Sequence, residues 1–186
     1  MNQKTLITFL FLVVFGSIAA IFTHRMIFKT APHAILSSDE LIPKPIKILD
    51  SLPESTLFDL DGNIQVLEQW RGKILVLNFW ATWCPPCIAE IPEFIRLQNE
   101  LGIKGLQFVG VAIDEVKEVK EFVIKTGINY PILIGDNQAL QLSEQLGNRL
   151  QGLPFSVIFN RDGNVIYRGM GSLMPETIHD KIDSLL

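Results

Sequence analysis

Hydrophobic and polar positions divide the chain into three stretches. From Thr5 to Thr23 the sequence TLITFLFLVVFGSIAAIFT carries no charge. Nineteen helical residues rise about 28 Å, close to the hydrocarbon thickness of a bilayer. Residues 1–23 therefore read as a transmembrane anchor, with residues 5–23 in the lipid bilayer. Ser17 and Ala19 offer small residues for a cleavage point, yet the apolar run continues through Ile21 and Phe22, which favours an anchor over a removed signal peptide. Residues 24–52 are proline-rich and nearly patternless, a tether in which Ile46–Leu49 alternatively reads as a strand or cap folded over the domain.

From residue 53 to 186 the pattern turns regular. Thr56–Leu60 and Ile64–Leu67 flank Asp61-Gly62-Asn63 and predict a hairpin. Ile74–Trp80 is a nearly continuous apolar run, the signature of a strand covered on both faces. After Pro85-Pro86, Ile88, Ile91, Phe94 and Ile95 share one helical face, with a kink expected at Pro92. Leu106–Ile113 predicts a second buried strand, and Val116, Val119, Phe122 and Val123 recur at helical spacing. A short strand over Tyr130–Ile134 precedes a helix from Ala139 to Leu146. Phe155–Phe159 and Val165–Arg168 pair across a turn containing Asp162-Gly163, and a last helix spans Pro175–Leu185. The strand–helix alternation predicts an α/β domain with helices on both faces of a central sheet.

Composition removes several functions. Sixteen Lys and Arg against twenty Asp and Glu leave a net charge of -4, so nucleic acid is not an expected partner. Neither GxGxxG nor GxxxxGK[ST] occurs, which excludes a nucleotide-binding reading. Two cysteines are too few for a disulfide-stapled scaffold or a four-cysteine metal site.

Those two cysteines carry the chemistry. In Trp83-Cys84-Pro85-Pro86-Cys87 they lie three positions apart, between a buried strand and a helix, close enough to join as a disulfide. Cys84 falls at the positive end of the helix, where amides and the helix dipole favour a thiolate. It is expected to be the exposed, more acidic thiol and the nucleophile. Cys87, one turn in, suits the resolving role. His24, His33 and His179 show no ligand spacing, so no metal is expected. Haem attachment would need a histidine where Ile88 stands.

The stretch from Leu77 through Asn78, Trp80, Trp83, Cys84 and Cys87, followed by Glu90, Pro92 and Phe94, resembles the membrane-tethered thioredoxin-like proteins of the bacterial cell envelope. This group includes the TlpA and ResA types and the cytochrome c maturation thioredoxins. The likeness extends through Val109-Gly110-Val111, Gly127, Tyr130-Pro131, Gly152-Leu153-Pro154 and Asp162-Gly163. It implies a thioredoxin-like fold, a central mixed sheet with helices on both faces and an N-terminal β-hairpin extension, over residues 53–186. It also implies that Pro154 is a cis-proline facing the cysteines, and that Leu153 and Pro154, with Trp83, Pro85 and Pro86, meet the substrate. Glu90 matches an acidic residue that tunes the thiols. Asn78 departs from the aspartate of cytoplasmic thioredoxins and cannot take a proton, which shifts weight to Glu90. Trp80 and Trp83 are expected to pack around the site and cover part of the disulfide.

The resulting expectation is a cofactor-independent thiol–disulfide oxidoreductase of the bacterial inner membrane, single-pass, with its domain on the periplasmic or extracytoplasmic side. Its partners would be an oxidised envelope protein, such as apocytochrome c or a metal-delivery protein, and a membrane thiol–disulfide electron donor. A non-catalytic binding or chaperone module is the alternative. A thiol peroxidase fits less well, because Leu77 and Ala81 occupy the positions where its motif requires proline and threonine or serine.

Overall fold

Seven strands form one mixed sheet in the order β2-β1-β5-β4-β3-β6-β7. They are β1 (Thr56–Asp59), β2 (Ile64–Val66), β3 (Ile74–Trp80), β4 (Leu106–Ala112), β5 (Ile132–Ile134), β6 (Phe155–Phe159) and β7 (Val165–Met170). The helices are α1 (Pro85–Leu101), α2 (Val116–Thr126), α3 (Asn137–Gln145) and α4 (Pro175–Ile182). The computed structural model describes residues 47–186, so the expected membrane span and residues 24–46 of the tether lie outside the described residues.

The middle of the sheet explains the apolar runs. β3 pairs in parallel with β4 and antiparallel with β6, and all seven of its residues are buried. Alternate residues feed two cores. Ile74, Val76 and Trp80 face a cluster with Cys87, Ile91, Phe94 and Leu97 of α1, Val119 of α2 and Ile178 of α4. Leu75, Leu77 and Phe79 face the opposite cluster, with Ala139 and Leu142 of α3. Helices thus cover both faces, and the fold is thioredoxin-like with a leading β-hairpin.

Several expectations shift in detail. Ile88 is exposed, because the stripe that faces the sheet is Cys87, Ile91, Phe94, Leu97 and Leu101. The α1 helix passes through Pro92 and continues to Leu101. Leu67 opens a 3-10 turn and does not extend β2. At the end of the tether, the Leu49 amide donates to the Gln145 carbonyl at 2.8 Å, Ser51 bridges Asn164, and Leu52 is buried. Arg168 Nη2 also reaches the Leu49 carbonyl and Asp50 Oδ1. Folded contacts therefore begin ahead of residue 53, at Leu49, Ser51 and Leu52.

The β1–β2 hairpin turns at Gly62, whose φ of 84° suits a residue without a side chain. Asp59 ties it together: Oδ1 accepts the Asp61 and Asn63 amides, both at 2.9 Å, and Oδ2 accepts Gln65 Nε2, also at 2.9 Å. Among the described residues no helix is long and apolar enough to cross a membrane.

Candidate active site

The site grows from the C-terminal end of β3. Beyond Trp80 the chain turns through Ala81–Trp83, held because Asp114 Oδ2 accepts both the backbone amide and the hydroxyl of Thr82. Cys84 then caps α1, with Pro85 and Pro86 in the first turn. Proline suits that position, since its missing N–H would find no helical partner there.

Cys84 and Cys87 are joined as a disulfide with their Cα atoms 5.3 Å apart. Cys84 was expected to be exposed, but only 4% of its surface is open, and Cys87 is fully buried. The order of exposure is as expected, while the degree is not. Both sulfurs belong to the apolar cluster that includes Trp80, and the partly buried Leu153 packs against that cluster. The electrostatics of the helix start also differ from a plain N-terminus. Pro85 and Pro86 bring no N–H, and the Cys84 amide is bound to the Ala81 carbonyl at 3.2 Å. Among the described residues this leaves the Cys87 amide as the one unclaimed donor of the turn, three positions on, where an N-cap side chain can accept it.

The two tryptophans part company. Trp80 is core, 1% exposed and tilted against the Phe122 ring at 5.4 Å between centroids. The space for its indole is kept by Gly110 on β4, where a Cβ would sit 2.9 Å from Trp80 Nε1. Trp83 is 66% exposed, so most of its ring faces solvent. Pro85 and Pro86 are exposed beside it.

One turn beyond Cys87, on the buried side of the helix, lies Glu90, only 6% exposed. Its Oε2 accepts the Leu173 amide at 2.7 Å, and its Oε1 accepts Asn78 Nδ2 at 2.8 Å. Burial pushes its carboxyl from 4.5 up to about 7, against the downward pull of the hydrogen bonds from Leu173 and Asn78. Asn78 is itself 3% exposed, and its Nδ2 also donates to Ser156 Oγ at 3.0 Å. Asn78 and Ser156 stand opposite each other in the β3–β6 register. The Tyr130 phenol is pushed above its ordinary value, first by burial and then by the charge of Glu90.

On the facing loop the Leu153–Pro154 peptide is cis and Pro154 is buried. Asn148, 1% exposed, holds this loop with two bonds to Gly152: Nδ2 donates to the carbonyl at 2.9 Å, and Oδ1 accepts the amide at 3.1 Å. Asn148, Ser156, Asp114 and the Leu173 amide were not singled out from the sequence. Ser156 alone carried a visible signal, a single hydroxyl in the apolar strand FSVIF. Among the described residues no group of three or more His, Cys, Asp or Glu is placed to hold a metal ion.

Comparison with known proteins agrees with this geometry. The redoxin family profile matches residues 47–186. The thiol–disulfide oxidoreductase ResA of Bacillus thuringiensis (strain Al Hakam) is 32% identical over 127 residues, covering 68% of this chain and 71% of that one. ResA of Bacillus subtilis (strain 168) is 31% identical over 130 residues, 69% of this chain and 70% of its own. Among solved structures, a thioredoxin-family thiol:disulfide interchange protein of Chlorobium tepidum superposes with a TM-score of 0.65 at 25% identity, covering 77% of this chain and 99% of that one.

Proposed function

Given that this chain belongs to the redoxin family and is a thiol–disulfide oxidoreductase, we propose that it reduces disulfides of proteins in the bacterial cell envelope. In the reduced protein the Cys84 thiolate, steadied by the Cys87 amide and the positive end of α1, attacks one sulfur of a target disulfide. The other target sulfur leaves as a thiolate, and a mixed disulfide remains. Cys87 then gives up its proton, attacks the Cys84 sulfur and releases the second target thiolate. Two electrons have passed to the target, and Cys84–Cys87 is oxidised. A membrane thiol partner returns it to the dithiol.

The proton of Cys87 goes to Glu90. The observation that carries this reading is the buried carboxyl one turn from Cys87, brought by burial to about 7. An acceptor near neutrality takes a proton during exchange and gives it up afterwards. Leu153, Pro154, Trp83, Pro85 and Pro86 form the surface a target chain meets. The target class is apocytochrome c cysteines or a metal-delivery protein, and residues 5–23 hold the domain outside the inner membrane.

Trapping tests the reading. A full-length Cys87→Ala protein, expressed in the envelope, is expected to hold its target through Cys84, and mass spectrometry would identify it. Failure to trap any envelope protein, while Cys84→Ser still reduces a disulfide substrate, would remove Cys84 as nucleophile. For topology, an alkaline phosphatase fusion after Leu186 is expected to be active. Inactivity, with an active cytoplasmic reporter at the same position, would reverse the orientation. For the proton, Glu90→Gln is expected to slow release from the mixed disulfide by about a hundredfold and flatten the rate–pH curve. An unchanged curve would assign the proton to water.

A further inference from the structure

A carboxyl that takes up a proton in a buried site must find an acceptor for the new O–H, and Glu90 is surrounded by donors. Its Oε2 faces the Leu173 amide at 2.7 Å and its Oε1 faces Asn78 Nδ2 at 2.8 Å. A backbone N–H can only donate, so the Leu173 side is fixed. An asparagine amide can exchange its oxygen and nitrogen by a half-turn of the side chain, with almost no displacement of heavy atoms.

The same Nδ2 atom also donates to Ser156 Oγ at 3.0 Å. Both groups that meet this corner of the amide can reverse roles. A carboxylate accepts and a carboxylic acid donates, and a hydroxyl does either. We propose that Asn78 is a reversible positioning residue for Glu90: its amide donates to Glu90 and Ser156 while Glu90 is ionised, and turns to accept from both when Glu90 takes a proton on Oε1. This rests on the reading of Glu90 as the proton acceptor. Asn78 Oδ1 has no hydrogen-bond partner among the described residues and is not fully sealed from solvent, so the half-turn breaks no protein bond on its far side and the displaced N–H groups meet water there.

The groups facing Glu90 are few. β3 brings Asn78, the segment ahead of α4 brings the Leu173 amide, and the Tyr130 phenol precedes β5 and feels the charge of Glu90. Tyr130 is held above its ordinary value and stays protonated while Glu90 titrates. Cys87 lies one turn away on α1 and does not titrate in the disulfide form. No cationic side chain among the described residues acts on Glu90.

Ser156→Ala separates a turning amide from a fixed one. With Glu90 ionised, the variant leaves an Asn78 N–H without an acceptor. With Glu90 protonated and the amide turned, it leaves only an under-used carbonyl, the lesser penalty. The titration of Glu90 should then shift upward by roughly half a pH unit. A fixed amide would lose the same bond in both states, and the midpoint would stay in place. The measurement is the infrared carboxyl band of Glu90 against pH in the oxidised full-length protein, assigned by its loss in Glu90→Gln. An unchanged or lowered midpoint overturns the proposal.

Should Ser156→Ala fail to fold, the wild-type protein decides. Cross-peaks from the Asn78 amide protons to Ser156 Hβ are expected above the Glu90 midpoint and should vanish below it, and their persistence at low pH overturns the proposal. Both measurements are made at rest, without turnover. They can therefore succeed while the rate–pH curve of Glu90→Gln removes Glu90 from catalysis, or fail while that role stands.

Discussion

Asp59 and Glu90 are two carboxylates with almost the same partners and opposite behaviour. Each accepts a backbone amide and an asparagine side chain, Asp59 from Asn63 and Glu90 from Leu173 and Asn78. Asp59, in the surface hairpin, is held below its ordinary value by the hydrogen bonds of Asn63. Glu90 is raised, because burial outweighs the same kind of bonds. Hydrogen-bond counting alone would have given both the same sign. Water decides, since a charge near the surface keeps its solvation and one under α1 loses it.

Substitution at Glu90 should produce the largest effect. Its carboxyl is at 4.5 unfolded and about 7 folded, so the folded state holds the proton more tightly between these values. Stability is therefore lost as pH rises through that window, by about 3 kcal/mol. Urea melts of Glu90→Gln should lack this slope, so that the variant gains on wild type from about pH 4 to pH 8. Parallel curves for the two proteins would show that Glu90 is not raised in the folded state.

Asn78→Ala comes next. It removes a charge-assisted bond from ionised Glu90 and only a neutral one from the acid, so the titration of Glu90 should climb above 7 and stability should fall by about 1–3 kcal/mol. A midpoint that moves toward acid would mean that Asn78 does not donate to the ionised form. Gly110→Ala is the steric counterpart in the same core. Its Cβ would stand 2.7 Å from Ile132 Cδ1 and 2.9 Å from Trp80 Nε1, at a cost of at least about 1 kcal/mol. The rate–pH curve should keep its shape, and a displaced curve would tie Trp80 packing to the proton.

Asp59→Asn should have the smallest effect, with the reverse slope. A lowered carboxyl contributes stability above its unfolded value of 3.8 and loses it as pH falls through the folded value. The variant should be weaker than wild type at neutral pH, with the gap closing in acid. A gap that widens in acid would place Asp59 with Glu90.

These contrasts also mark what could be read from the sequence. The strands announced themselves because β3 and β6 are buried on both faces, and the cysteine pair because a strand–turn–helix frames it. Asn78 could be read as a lone polar residue in an apolar strand. Its meeting with Ser156 could not, since it depends on the pairing of strands 78 positions apart. The Leu173 donor is a backbone amide 83 positions from Glu90 and leaves no mark on residue identity. Cys84 was read as exposed from its place at a helix start, a local argument. Only 4% open, it belongs to a cluster that includes Trp80 from β3, and Leu153 from the distant loop ahead of β6 packs against that cluster.

The paired prolines at the start of α1 have an electrochemical consequence. A dithiol couple becomes more oxidising as its reduced form is stabilised, chiefly through the attacking thiolate. With Pro85 and Pro86 donating nothing and the Cys84 amide already bound, a Cys84 thiolate has the Cys87 amide and little else. The couple is therefore expected toward the reducing side, with a dithiol that gives up its electrons more readily than one cradled by a full set of amides. Restoring one donor with Pro86→Ala would add a charge-assisted bond of about 1.5 kcal/mol, which raises the midpoint potential by about 30 mV. Equilibration of that variant against glutathione measures the shift, and an unmoved potential would mean that the added amide never reaches the sulfur.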